Sequence, residues 1–236
     1  MGIAIEMGRF TTILWDLDQT ILDFKRSQEY ALSYCFEKMG LQINDKIHAL
    51  YVAINDNYWE RLEKGEITKE ELFAGRYRTL FEKLNITGIS PEKMAELYQE
   101  ILGSVYFFLD EADKIIMQLK EQGYKQYIVT NGFLKTQANK IRISGLDKLV
   151  DASFASEEIG YPKPRKEYFD ACFARMKGIT REECILVGDS LTSDMQGGIG
   201  AGVATCWYNP TGKANHLHLA IDHEIRDLHE VPLILQ

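Results

Sequence analysis

Apolar and polar positions follow two different periods along this chain. Ile13-Leu14-Trp15 is a short apolar run that leads into Asp16-Leu17-Asp18-Gln19-Thr20, the pattern of a buried strand that ends in polar side chains. From about residue 24 to residue 105 the spacing becomes helical. Ala31, Leu32, Tyr34, Cys35, Phe36 and Met39 recur at three- and four-residue steps and stop at Gly40, a C-terminal cap. Further helices are predicted over 45–63, from Thr68 to about 84, and from Ser90-Pro91 onward. Thr68-Lys69-Glu70-Glu71 has the form of a capping box, and Pro91 falls at the first helical position. Four helices without a strand predict a compact bundle. Asn85-Ile86-Thr87, a glycosylation sequon in form, reads as the loop after the third helix.

Beyond residue 105 strands and helices alternate. Helices are predicted over 110–122, 134–144, 165–177 and 195–200, and strands over 124–129, 150–155, 184–187 and 204–208. This order predicts a parallel sheet covered on both faces. The expected architecture is α/β: a Rossmann-like doubly wound parallel sheet core built from 1–23 and 106–236, with 24–105 inserted as an α-helical bundle cap. Ligands of such sheets bind beyond the carboxyl ends of the strands. Three predicted strands end in reactive side chains there: Asp16 and Asp18, Thr130 and Asn131, and Asp189.

Two carboxylates at i and i+2 of a strand share a face, roughly 6.6 Å apart at ~3.3 Å per residue. That separation suits phosphoryl transfer, with Asp16 attacking phosphorus while Asp18 handles the proton of the leaving oxygen. Thr130-Asn131-Gly132 places a hydroxyl, an amide and main-chain N–H groups at a helix start, where they can hold phosphoryl oxygens. Lys163, between Pro162 and Pro164, supplies a positioned ammonium for the nucleophile and a phosphoryl oxygen. Gly188-Asp189-Ser190-Leu191-Thr192-Ser193-Asp194 adds two acids. With Asp16 they suit Mg²⁺, Asp189 as a direct ligand and Asp194 directly or through water. With Asp18 protonated, the other three carboxylates sum to −3, which Mg²⁺ and Lys163 together cancel.

The formal net charge of −8 argues against a nucleic-acid polymer or an anionic membrane as partner. It fits a small phosphorylated metabolite only if a cation supplies local positive charge. Cys35, Cys172, Cys184 and Cys206 form no C-x-x-C pair and read as reduced, buried thiols. Residues 1–10 include Glu6 and lack a long apolar run, unlike a secretory leader, and no apolar run in the chain is long enough to span a bilayer. A cytoplasmic protein is expected, either monomer or homodimer. His216, His218, His223 and His229 lack a zinc spacing and read as surface residues.

Taken in order, Asp16-Leu17-Asp18-Gln19-Thr20, Thr130-Asn131, Lys163, and Gly188-Asp189 with Asp194 resemble the four motifs of the haloacid dehalogenase-like hydrolase superfamily. The helical insertion matches that family's cap position. Gln19 stands where glycine is more frequent. The resemblance implies that Asp16 becomes a phospho-aspartate, that Asp18 protonates the leaving alcohol and then activates water, and that the Asp18 main-chain carbonyl also ligates Mg²⁺. The second acid separates the phosphatase branch from the dehalogenases. Thr130-Asn131-Gly132-Phe133, Lys163-Pro164 and Ala204-Thr205-Cys206-Trp207-Tyr208-Asn209-Pro210, followed by Gly212-Lys213, are similar to the house-cleaning 5′-nucleotidase subgroup, which implies nucleoside monophosphates. Alternatives are a sugar-phosphate phosphatase, a phosphomutase, or a phosphate-sensing binding protein. Phe24, Lys25, Tyr58, Trp59, Arg61, Arg76 and Arg78 are the aromatic and cationic candidates for specificity within the inserted segment.

Overall fold

A computed structural model of the chain describes residues 8–235. Residues 1–7, which carry most of the stretch judged unlike a secretory leader, lie outside the described residues. The chain forms two compact units, one made of the residues up to Phe24 and those from Tyr106 onward, the other of Lys25–Val105.

The first unit is built on a six-stranded sheet: β1 (Thr12–Trp15), β2 (Lys125–Thr130), β3 (Ala152–Ala155), β4 (Cys184–Gly188), β5 (Ala204–Tyr208) and β6 (His223–Ile225). All pairs are parallel, and the spatial order is β3-β2-β1-β4-β5-β6. Successive residues of the central strands face opposite sides, and both sides are apolar. Ile13, Trp15, Ile128, Ile185 and Val187 enter one core with Ile115, Ile116 and Leu119. Leu14, Val129 and Leu186 enter another with Tyr168, Phe169 and Cys172. This double burial is why these strands read as continuous apolar runs. β6 is only three residues long and carries no such run, so the sequence gives it no signal.

Helices cover the sheet: α5 (Ala112–Glu121), α6 (Leu134–Ile143), the one-turn α7 (Ser156–Ile159), α8 (Lys166–Arg175) and α9 (Gln196–Ala201), with α10 (Val231–Ile234) near the end. α6 closes at Gly145, whose backbone is left-handed (φ 79°). A π-helical turn, Leu191–Met195, precedes α9. All four cysteines are buried and unpaired, and burial pushes each thiol up to about 12. Among the described residues no helix is long and apolar enough to cross a membrane.

The second unit holds α1 (Phe24–Lys38, which begins one residue earlier), α2 (Asp45–Glu63), α3 (Lys69–Leu84) and α4 (Pro91–Leu102). Thr68 and Glu71 form a reciprocal capping box on α3, Ser90 caps α4 with Pro91 behind it, and α3 ends at a left-handed Asn85. The core of this unit contains an aromatic cluster. The Tyr51 and Tyr77 hydroxyls lie 2.9 Å apart, and Arg76 stacks over the rings of Tyr77 and Tyr98 at 5.0 and 5.2 Å. Arg76 is 1% exposed and donates to Asn55 Oδ1 at 2.6 Å. It is a core residue of the unit. Arg78 pairs with Glu92 at 3.0 Å on the surface.

Candidate active site

Sheet register decides which residues meet at the carboxyl edge. Trp15 lies level with Ile128 on one side and Val187 on the other. Asp16 and the Gly188-Asp189 step therefore emerge together, with Thr130 ending the neighbouring strand. The chain adds β2 and β3 to one side of β1 and then returns to the other with β4. Open parallel sheets bind ligands at such a switch point.

β1 ends at Trp15, so Asp16 and Asp18 sit in the turn beyond the strand and strand alternation does not set their separation. In that turn Gln19 is left-handed (φ 67°) and its N–H donates to Leu22 O at 2.7 Å. The conformation explains why glycine suits this position, since a residue with a Cβ loses roughly 1–2 kcal/mol there.

Asp16 is buried. Its Oδ1 accepts from Lys163 Nζ at 2.7 Å and its Oδ2 from the Thr20 hydroxyl at 3.2 Å. Lys163, 1% exposed, also donates to Asp194 Oδ1 at 2.7 Å and to the Val129 carbonyl at 2.8 Å. These bonds engage all three ammonium donors. Lys163 thus acts as a fixed charge, and a phosphoryl oxygen would have to displace one of its bonds. Burial works against that charge, but Asp16 and Asp194 outweigh it and hold the lysine above its ordinary pKa.

Asn131 explains how a residue 32 positions away reaches the strand ends. Its side-chain amide donates to Lys163 O at 2.9 Å and its Oδ1 accepts from Lys163 N–H at 2.8 Å. The side chain is thus a two-point strap on the lysine's backbone, and not the phosphoryl-oxygen donor that its place after β2 predicts. The Thr130 hydroxyl accepts from Gly132 N–H at 3.1 Å and from Gln137 Nε2 at 2.8 Å. With both acceptor sites engaged, its proton is left to donate to a ligand.

Asp194 is buried, and its Oδ2 accepts from Ser190 N–H at 3.1 Å. It presses on β4 where only glycine fits: a Cβ on Gly188 would lie 2.4 Å from Asp194 Cγ. The Trp207 indole, from β5, donates to the Asp189 carbonyl at 2.9 Å and braces that loop.

Ligand atoms of Asp16, Asp189 and Asp194 lie within 4.8 Å of one another. Burial pushes Asp16 up to about 7, with Asp194 and Asp18 adding to the rise and Lys163 opposing it. Asp189 is raised well above the usual carboxylate range, first by loss of water and then by Asp16 and Asp194. Crowded anionic oxygens short of counter-charge fit a hard divalent cation such as Mg²⁺.

A family model described as haloacid dehalogenase-like hydrolase matches residues 10–202. The chain belongs to this family. YfnB of Bacillus subtilis, named as a hydrolase of the same family, is 36% identical over 229 residues, 97% of each chain. The crystal structure of YfnB bound to magnesium has a TM-score of 0.92 at 35% identity, covering 97% of this chain and 100% of that one. The pyrimidine 5′-nucleotidase PynA of Streptococcus pneumoniae is 32% identical over 90% of each chain. The pyrimidine 5′-nucleotidase YjjG of Escherichia coli is 30% identical over 94% of this chain and 96% of its own.

In this haloacid dehalogenase-like hydrolase two side chains outside the four motifs reach Asp18. Lys140 Nζ lies 2.8 Å from Asp18 Oδ1, and Gln137 Nε2 lies 2.6 Å from Asp18 Oδ2. Both come from α6, whose buried face is Thr136, Gln137, Lys140 and Ile141. The only sequence trace was a polar pair at i and i+3 where an amphipathic helix should bury apolar residues, and such a pair reads as a solvated face. Lys140 also changes the charge count. Counted as a carboxylate paired with Lys140, Asp18 adds no net charge, and Lys163 with a divalent cation balances Asp16, Asp189 and Asp194; with Asp18 carrying a proton, the same groups leave one positive charge to meet a phosphate.

Proposed function

We propose that this enzyme is a Mg²⁺-dependent phosphatase that hydrolyses small phosphate monoesters through a phospho-aspartate on Asp16, with pyrimidine 5′-nucleotides as the favoured substrates. The observation that carries the reading is Asp16 itself: a buried carboxylate held at both oxygens by Lys163 and Thr20, with Asp189 and Asp194 beside it. Asp16, Asp189 and Asp194, with the Asp18 carbonyl, would hold Mg²⁺, which when bound offsets the charge of the approaching phosphate.

The Thr130 hydroxyl donates to a phosphoryl oxygen. An oxygen of Asp16 attacks phosphorus, and the bond to the leaving alcohol breaks as Asp18, in its protonated form, gives its proton to that oxygen and becomes a carboxylate. Water then attacks the phosphoryl group, Asp18 takes the water's proton, and the bond to Asp16 breaks to release inorganic phosphate. Lys163 keeps Asp16 aimed throughout. The helical unit, Lys25–Val105, is the proposed cap that limits the leaving group and excludes water.

Nucleotide preference rests on the pyrimidine 5′-nucleotidases among the relatives and on the resemblance of the Trp207-Tyr208-Asn209-Pro210 stretch to the 5′-nucleotidase subgroup. Phosphate release from uridine and thymidine 5′-monophosphates is expected to exceed release from purine nucleotides and sugar phosphates. Asp16→Asn should abolish turnover of every ester while thermal unfolding stays close to that of the parent, and excess chelator should do the same. Turnover retained in either case overturns the mechanism; a flat substrate panel overturns only the nucleotide assignment.

A further inference from the structure

We propose that Lys140 and Gln137 are positioning residues for Asp18, so that the buried polar face of α6 is part of the machinery that directs the leaving-group proton; this rests on the phosphatase reading above. Lys140 is fully buried, yet the partner it reaches is a side chain 122 residues earlier in the chain. Its ammonium lies 2.8 Å from Asp18 Oδ1 and 5.4 Å from the centre of the Phe24 ring, which covers another side of it. A buried lysine is costly without such a partner, and a leucine at this helical position would serve the core at no such cost.

Gln137 ties the same carboxyl to the phosphate-binding end of β2. One amide nitrogen spans Asp18 Oδ2 at 2.6 Å and Thr130 Oγ1 at 2.8 Å. Because a carboxylate and an engaged hydroxyl oxygen both accept, the amide nitrogen is the end that faces them. Gly132 makes the arrangement possible: a Cβ there would lie 2.1 Å from Gln137 Nε2. Asp18 is thereby held at both oxygens, and the Thr130 proton is turned outward by the same residue. Rotation of Asp18 away from these two contacts would carry its proton away from the leaving oxygen.

A residue that acts through a general acid has a signature that a packing residue lacks. Its loss matters most for alcohols that leave poorly and least for those that leave without a proton. Lys140→Met and Gln137→Leu, each with Mg²⁺ present, are to be compared with the parent and with Asp18→Asn on p-nitrophenyl phosphate and on an alkyl phosphate or nucleotide. For Lys140→Met we expect kcat on the alkyl ester to fall on the order of 10²-fold, the lower end of what general acid catalysis supplies. On p-nitrophenyl phosphate the fall should be about tenfold smaller, with KM little changed on both.

Combined with Asp18→Asn, Lys140→Met should add less than about threefold, because both changes remove one function. Equal losses on both esters, or a full additional loss in the double variant, overturn the assignment. Lack of parent activity on either ester instead overturns the phosphatase reading beneath it. Thermal unfolding is measured for each variant; should Lys140→Met fail to fold, Gln137→Leu, which leaves the ion pair in place, is read by the same criteria.

Discussion

Gly188 and Gly132 solve the same problem at two strand ends: each leaves its Cβ position to the side chain of a residue further along. At Gly188 the intruder is Asp194, which also bonds Lys163 and the Ser190 N–H. Gly188→Ala therefore forces the carboxylate outward, a displacement of about 1 Å, of the kind that costs ~10²-fold in rate. The expected result is that loss in kcat with a drop in stability of about 1–3 kcal/mol from overpacking, read by steady-state kinetics and denaturant unfolding. At this scale Asp16, Asp18, Thr130, Lys163, Asp189 and Asp194 could be singled out from the sequence, because short motifs at strand ends carry their own chemistry. What Asn131 does could not. Its side-chain amide is taken up by the backbone of Lys163, a partner that only the folded loop supplies.

At the scale of elements, local signals proved sufficient wherever an end was written into the chain. α2 spans Asp45–Glu63, the bounds its periodicity predicts, and α3 opens on the predicted capping box. There the Glu71 N–H donates to the Thr68 hydroxyl at 3.2 Å and the Thr68 N–H to Glu71 Oε2 at 2.7 Å. Thr68→Ala should cost about 1 kcal/mol, measured as a lowered unfolding midpoint, while Thr68→Ser should retain most of it. β6 and α7 escaped because three or four residues are too few to show a period. α6 is legible as a helix from its period, but what its buried face holds is not. Gln137 and Lys140 are polar at positions that the period alone would fill with apolar residues, and nothing local says that an anion lies opposite.

At the scale of the whole molecule, a cation held by the acidic cluster would link metal binding to stability. A ligand that binds only the folded state adds about 2.7 kcal/mol at a hundredfold excess over Kd. Mg²⁺ should accordingly raise the thermal midpoint of the parent protein, and Asp189→Asn should remove most of that rise. A midpoint indifferent to Mg²⁺ in the parent would argue that Asp16, Asp189 and Asp194 are not a metal site. The division into an α/β unit and a helical unit, and the parallel order of the sheet, follow from the change of period near residues 24 and 105 and from the alternation after it.

By itself the sequence determined the kinds of element, their order, and the acids, hydroxyl and lysine that end up at one edge of the sheet. Periodicity, caps and short motifs act over a few residues and are therefore readable one stretch at a time. Tertiary structure alone decided that Lys163 saturates its donors, that Asn131 serves the backbone, and that Lys140 meets Asp18. Those pairings join residues 31 to 147 positions apart. They arise from strand register and from the face that α6 turns inward, and neither is encoded at the residues themselves.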